Sequence, residues 1–190
     1  MINFKIILNV LGYLLVALSI LLIVPIIIDL ISGNESWKSF LISLIITFGF
    51  GVTFLLSTRN ELKNKILTQD AFLITTLSWI FISIFGALPF FFLDSSLSLT
   101  NSIFESMSGI TTTGSTIFNE VENLPQGILI WRSILQWVGG VGIIVMAVSI
   151  LPVLQVGGMQ VFRTESSDTT DKILPLSLIH ISEPTRHVDI

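Results

Sequence analysis

Few residues in this 190-residue chain have side chains suited to chemistry. There is no cysteine, which excludes disulfides, thiolate metal sites and a cysteine nucleophile. The two histidines, His180 and His187, stand in the last eleven residues with Pro184 between them, and no metal site is expected there. What remains is a polar string, Thr111-Thr112-Thr113-Gly114-Ser115, with Glu105 before it and Arg132 after it. The string has poor helix propensity and offers only neutral oxygens, from backbone carbonyls and hydroxyls. Such oxygens can stand in for the hydration shell of a cation. Gly114 permits the positive φ that lets successive carbonyls point one way. By itself the string also fits an ordinary Thr/Ser-rich loop, so its meaning depends on what surrounds it.

The surroundings are apolar. Hydrophobic residues make up 52% of the chain and charged residues 12%, with a mean hydropathy of +0.88. Soluble domains carry about 25% charged residues. The charges are clustered, leaving residues 6–28, 39–58, 71–93 and 133–162 without any. About 20 apolar residues cross a bilayer as a helix. Four spans are therefore expected, near Ile6–Ile31, Ser39–Ser57, Ala71–Leu93 and Gly127–Val156, in an all-α integral membrane protein. This excludes a soluble enzyme and a nucleic-acid binder. The first apolar run is too long for a signal-peptide core and should remain as an anchor. Pro25 is expected to kink it, and Asp29 to lie at the outer interface. Gly49 and Gly51 would let the second span approach a neighbour closely, with a loose packing role as the plainer reading.

Between the third and fourth spans, Ser102–Ile110 reads as a short amphipathic helix with Ile103, Phe104, Met107 and Ile110 on one face. Thr100 is the expected N-cap, with Ser102 and Glu105 as a competing capping box. About ten residues make only about 15 Å of helix, roughly half a hydrocarbon core. Irregular backbone at membrane depth is tolerated only in a protein interior or along a cavity. A re-entrant half-helix entering from outside would aim its negative C-terminal end at the membrane centre, where it favours a cation. In the chain by itself, the face carrying Ser106 and Ser108 would lie against lipid. Glu105 and Arg132 are the charges nearest the membrane on this side, and a bracing ion pair between them is expected; the alternative is that each reaches water alone. Gly139, Gly140 and Gly142 suit close packing of the half-helix, with a gating hinge as the second reading. Trp131 and Trp137 read as interface and packing residues.

Lys and Arg set the orientation. Lys5, Arg59, Lys63, Lys65, Arg163, Lys172 and Arg186 fall on one side, and Lys38 and Arg132 on the other. Both termini are therefore expected in the cytoplasm. The 94–126 region, with Asp94, Glu105, Glu120 and Glu122 and no basic residue, faces outside and would attract cations.

Four strings carry a resemblance: FGALPFFF (85–92), FESMSGITTTGST (104–116), LPQGILIWRSILQWVGGVGIIVMAVSILPVLQVGGMQVFRTE (124–165) and KILP (172–175). The 71–175 stretch resembles the Trk/Ktr/HKT superfamily of potassium-uptake proteins, and within it the bacterial TrkH type, which carries two helices ahead of its pore repeats. The resemblance implies four consecutive helix–half-helix–helix repeats around one potassium pathway. Residues 1–66 would be the two-helix extension, 67–158 the first repeat and 159–175 a cytoplasmic linker. Thr112 and Thr113 match the family's ion-coordinating positions, flanked by Thr111 and Gly114; glycine at 114 points to potassium rather than sodium. The resemblance further implies a bacterial inner-membrane location and a homodimeric full-length form. It also implies a cytoplasmic nucleotide-binding regulatory partner of the TrkA type, and K+ as transported ligand with no covalent cofactor. Residues 176–190 do not resemble the family, and a truncated C-terminus is expected there. The rival readings are a short two-span-type channel unit acting as an oligomer and a non-conducting membrane assembly subunit.

Overall fold

The computed structural model describes residues 3–58, 68–93 and 97–154, without the side chains of 68 and 146–154. Arg59, Lys63, Lys65, Asp94, the 159–175 linker and the 176–190 tail with both histidines lie outside the described residues. Among the described residues there is no strand. The elements are α1 (Phe4–Leu21), α2 (Ile23–Ser32), α3 (Trp37–Ser57), α4 (Thr68–Leu93), α5 (Leu99–Ile110), one 3-10 turn (Val121–Asn123) and α6 (Gln126–Leu154). Met1–Met146 forms one compact unit. Four stretches are long and apolar enough to cross a membrane: Phe4–Ser32, Trp37–Ser57, Gln69–Leu93 and Gln126–Val145.

The first of these stretches is divided between α1 and α2 at Leu22. Pro25 has no N–H for the carbonyl of Leu21, so the helix is interrupted one turn before the proline rather than at it. α1 and α3 pack against each other through Gly12 and Gly51: a Cβ added at Gly51 would lie 3.0 Å from the backbone nitrogen of Val16. A Cβ at Gly49 would meet nothing within 4 Å, so only the second of these two glycines serves the approach.

The core joins these helices around one large side chain. Trp131 of α6 is fully buried, meets Phe40 of α3 edge-on at 6.4 Å, and donates its indole N–H to the carbonyl of Gly86 at 2.9 Å. Leu15, Leu18, Leu22, Phe85, Phe90, Ile128 and Leu135 complete the cluster. Trp137, by contrast, is 67% exposed. At one end of the bundle the backbone N–H of Asn3 bonds Asp70 at 3.0 Å, and Asn9 donates to Thr58 at 2.8 Å. At the other, Ser39 of α3 donates to the carbonyl of Phe92 at 2.9 Å. Polar links at the ends and apolar packing between them leave the α5–α6 segment held against a firm wall.

Candidate functional site

α5 is capped two residues before the expected capping residue. Its N-cap is Ser98, whose hydroxyl accepts from the N–H of Asn101 at 3.2 Å; Thr100 lies inside the helix. Glu105 does not close a capping box, because its carboxylate is engaged elsewhere. The helix buries its serine-rich face together with the end of its apolar stripe. Ser102, Glu105, Ser106, Ser108 and Ile110 are buried, whereas Phe104 is 49% and Met107 37% exposed. Ser106 packs where α4 has Gly86, so neither it nor Ser108 lies on an outward face. The reason is tertiary: on this face Ser108 and Glu105 find partners in the polar strand 111–117, a segment of irregular backbone and not a β-strand, and Glu105 finds a further one on α6. Ser108 donates to the carbonyl of Ser115 at 2.5 Å. Ser106 Oγ, fully buried, has no hydrogen-bond partner among the described residues.

The helix closes with a Schellman motif. The N–H of Thr113 bonds the carbonyl of Ser108 at 3.1 Å, and that of Thr112 bonds Gly109 at 3.0 Å. This puts Thr112 in the left-handed conformation, φ 59°, a position glycine usually takes. A β-branched residue there is strained. Gly114 follows with φ 78°. Thr111, Thr112, Thr113 and Gly114 are all exposed. Their four backbone carbonyls accept no hydrogen bond within the described residues. The Thr111 hydroxyl donates to the carbonyl of Met107 at 2.8 Å and lies 2.9 Å from that of Thr113.

Behind this strand stands an ion pair. Arg132 Nε is 2.8 Å from Glu105 Oε1, with the Glu105 side chain 1% exposed. The same carboxylate accepts from the Thr116 hydroxyl at 3.1 Å and from the N–H of Ile117 at 3.0 Å. Glu105 therefore ties α5 to both α6 and the end of the strand. Thr116 carries no local motif that would have singled it out. A cavity of about 250 Å³ lies here, lined by Glu105, Ser108, Gly114, Arg132, Ser133 and Gln136 among others.

The three glycines of α6 are not equivalent. A Cβ at Gly139 would overlap the carbonyl of Ile110, the last residue of α5, whereas one at Gly140 or Gly142 would meet nothing within 4 Å. Gly139 thus sits against the end of α5; the other two face open space in this chain.

Asp29 lies where the end of α2 meets the starts of α3 and α6. It is fully buried, and its carboxylate accepts from Ser36 Oγ at 2.6 Å and from the N–H of Gly127 at 2.7 Å. The signal was available: an acid at the end of an apolar run with no basic neighbour in sequence needs a partner from elsewhere.

The TrkH family, described as cation transport protein, matches residues 36–182. The Trk system potassium uptake protein TrkI of Halomonas elongata is 43% identical over 170 residues, covering 89% of this chain and 34% of that protein. TrkH of Escherichia coli K12 is 40% identical over 164 residues, covering 86% and 34% respectively. The crystal structure of the potassium transporter TrkH from Vibrio parahaemolyticus superposes with a TM-score of 0.73 at 35% identity, covering 90% of this chain and 37% of that one. The chain thus spans about a third of the length of the curated relatives it matches.

Proposed function

This chain belongs to the TrkH family of cation transport proteins, which are transporters and not enzymes, and from that membership we propose that its α5–strand–α6 segment is one wall of a potassium-selective pathway. In this reading α5 is a re-entrant half-helix and Thr111–Gly114 is one quarter of the filter. Residues 1–66 are the extension, 67–158 the first of four repeats and 159–175 a linker. The full-length protein works as a homodimer in the bacterial inner membrane, with both ends of this chain cytoplasmic and a TrkA-type nucleotide-binding ring on that face. Potassium is the transported ligand, as the names of the relatives suggest. The Glu105–Arg132 pair braces the strand from behind.

The observation that carries the reading is the row of four exposed residues, Thr111 to Gly114, whose backbone carbonyls are free of partners among the described residues. They follow directly on the negative end of a helix that is too short to span. Neutral carbonyl dipoles of defined number select an ion by replacing its water. A fixed carboxylate would bind cations by charge alone. Thr113→Asp and Gly114→Asp in the full-length protein should therefore abolish preference for potassium over sodium in a flux assay. An unchanged preference in both variants removes the filter assignment.

A further inference from the structure

The helix behind the strand begins without a cap of its own. The residue before α6 is Pro125, whose carbonyl accepts from the N–H groups of Ile128 and Leu129 at 3.0 and 3.2 Å. Proline has no side-chain acceptor for the remaining free amides, and an N-cap oxygen ordinarily takes the N–H of the second or third helical residue. That acceptor arrives from α2, 98 residues earlier in the chain: Asp29 Oδ1 takes the N–H of Gly127 at 2.7 Å.

The joint is built to fit. Asp29 is 0% exposed. Ser36 donates to its Oδ2 at 2.6 Å and Asn34 to its Oδ1 at 3.3 Å. A Cβ added at Gly127 would overlap the carboxylate, so only glycine admits it. Ser32 donates to the side-chain oxygen of Gln126 at 2.6 Å, a second link between the same helix ends. No described basic residue forms an ion pair with Asp29; the positive end of α6 serves as its counter-charge.

One and a half turns further along α6 stands Arg132. It holds Glu105 at 2.8 Å, and Glu105 holds the N–H of Ile117 at 3.0 Å, at the end of the polar strand. We infer that Asp29 is a positioning residue for this strand: by fixing the start of α6 it fixes where Arg132, and through it Glu105, hold the strand's end. The N-terminal helices supply no described residue to the strand, yet through this carboxylate, with the Ser32–Gln126 bond and the Phe40–Trp131 contact beside it, they set its place. That this setting matters for ion selection rests on the filter reading above.

The test uses the full-length protein with Asp29→Ala, Asp29→Asn and, as a control on the filter reading, Gly114→Asp. Hydrogen exchange of the peptide covering residues 111–118 should quicken at least about fivefold in Asp29→Ala, while α3 peptides exchange as before. Asp29→Asn keeps an acceptor for Gly127 and should stay within about twofold of the parent. The potassium-over-sodium flux ratio per folded molecule should fall about fivefold or more in Asp29→Ala and hold in Asp29→Asn. Unchanged exchange at 111–118 in Asp29→Ala overturns the inference, as does an equal acceleration of every peptide. Should Asp29→Ala fail to accumulate, Gly127→Ala displaces the carboxylate and is read by the same criteria. If exchange quickens but neither Asp29→Ala nor Gly114→Asp alters the ratio, the positioning stands and the filter reading falls.

Discussion

A single carboxylate, Glu105, joins three parts of the chain: its own helix, Arg132 on α6 and the backbone of Ile117. Removing one partner of a buried ion pair costs about 3–5 kcal/mol, because the other charge is left uncompensated. Glu105→Gln and Arg132→Gln should each lower the thermal midpoint of the purified full-length protein. The double variant should lose less than the sum, with a coupling of about 1–3 kcal/mol. Strictly additive losses would mean that the two side chains act separately. Thr112 makes a second test at this scale. Its left-handed backbone, φ 59°, costs about 1–2 kcal/mol in an L-residue. Thr112→Gly should therefore raise the thermal midpoint, while removing the threonine side chain from the strand. A lower midpoint would show that the hydroxyl or methyl makes contacts worth more than the strain. The threonines and Gly114 were legible in the sequence as a polar, non-helical string. The Schellman closure was not, since threonine is a poor local signal for a left-handed residue.

At the scale of elements, α5 and α6 meet at a backbone contact. Gly139 faces the carbonyl of Ile110 with no room for a methyl group, whereas Gly140 has open space in this chain. Gly139→Ala must either push α5 away from α6 or tilt its last turn, and either change moves Thr111 and Thr112. Overpacking of this kind costs about 1–3 kcal/mol. In the full-length protein, Gly139→Ala should reduce the folded yield by size-exclusion chromatography and lower potassium flux per folded molecule. Gly140→Ala should be milder in both, and equal effects would contradict the packing account. The sequence marked all three glycines alike, because helical periodicity says which residues share a face but not which neighbour that face meets. The same limit explains α5. Its apolar stripe could be read from the sequence but not the fate of each member: Ile110 is buried and Phe104 and Met107 are exposed, while the serine-rich face is covered. The bonds of Ser108 to Ser115 and of Glu105 to Arg132 and Ile117 hold that face inward, and Phe104 and Met107 are left uncovered by this chain.

For the whole molecule, the exposed strand and the exposed Phe104 and Met107 of α5 lie on surfaces the described residues do not cover. A potassium ion without its hydration shell needs oxygens from all sides. One Thr111–Gly114 strand supplies them from one side. The 190-residue chain, purified and placed in potassium-loaded liposomes, should therefore give no potassium-selective flux. A selective flux blocked by larger monovalent cations would overturn this and favour a short-chain oligomer. The failure is expected from the open strand and not from Ser106 and Ser108, which are buried within the chain.

Composition and charge spacing were enough to establish four apolar helices, a short helix between the last two, and a polar string at its end. These follow from local physics: apolar length sets a span, and a run of threonine and glycine ends a helix. The residues of the Glu105–Arg132 pair were also legible, because a charge beside a long apolar run needs a partner. What required the tertiary structure was every choice among partners. The burial of Asp29 beneath the start of α6, the packing of Gly139 on Ile110 and the turning of the polar face of α5 inward each depend on residues far apart in sequence. Local patterns carry no information about which helix end will lack a cap, or which distant carboxylate will supply it; only the packed bundle decides that, by bringing Asp29 within 2.7 Å of the N–H of Gly127.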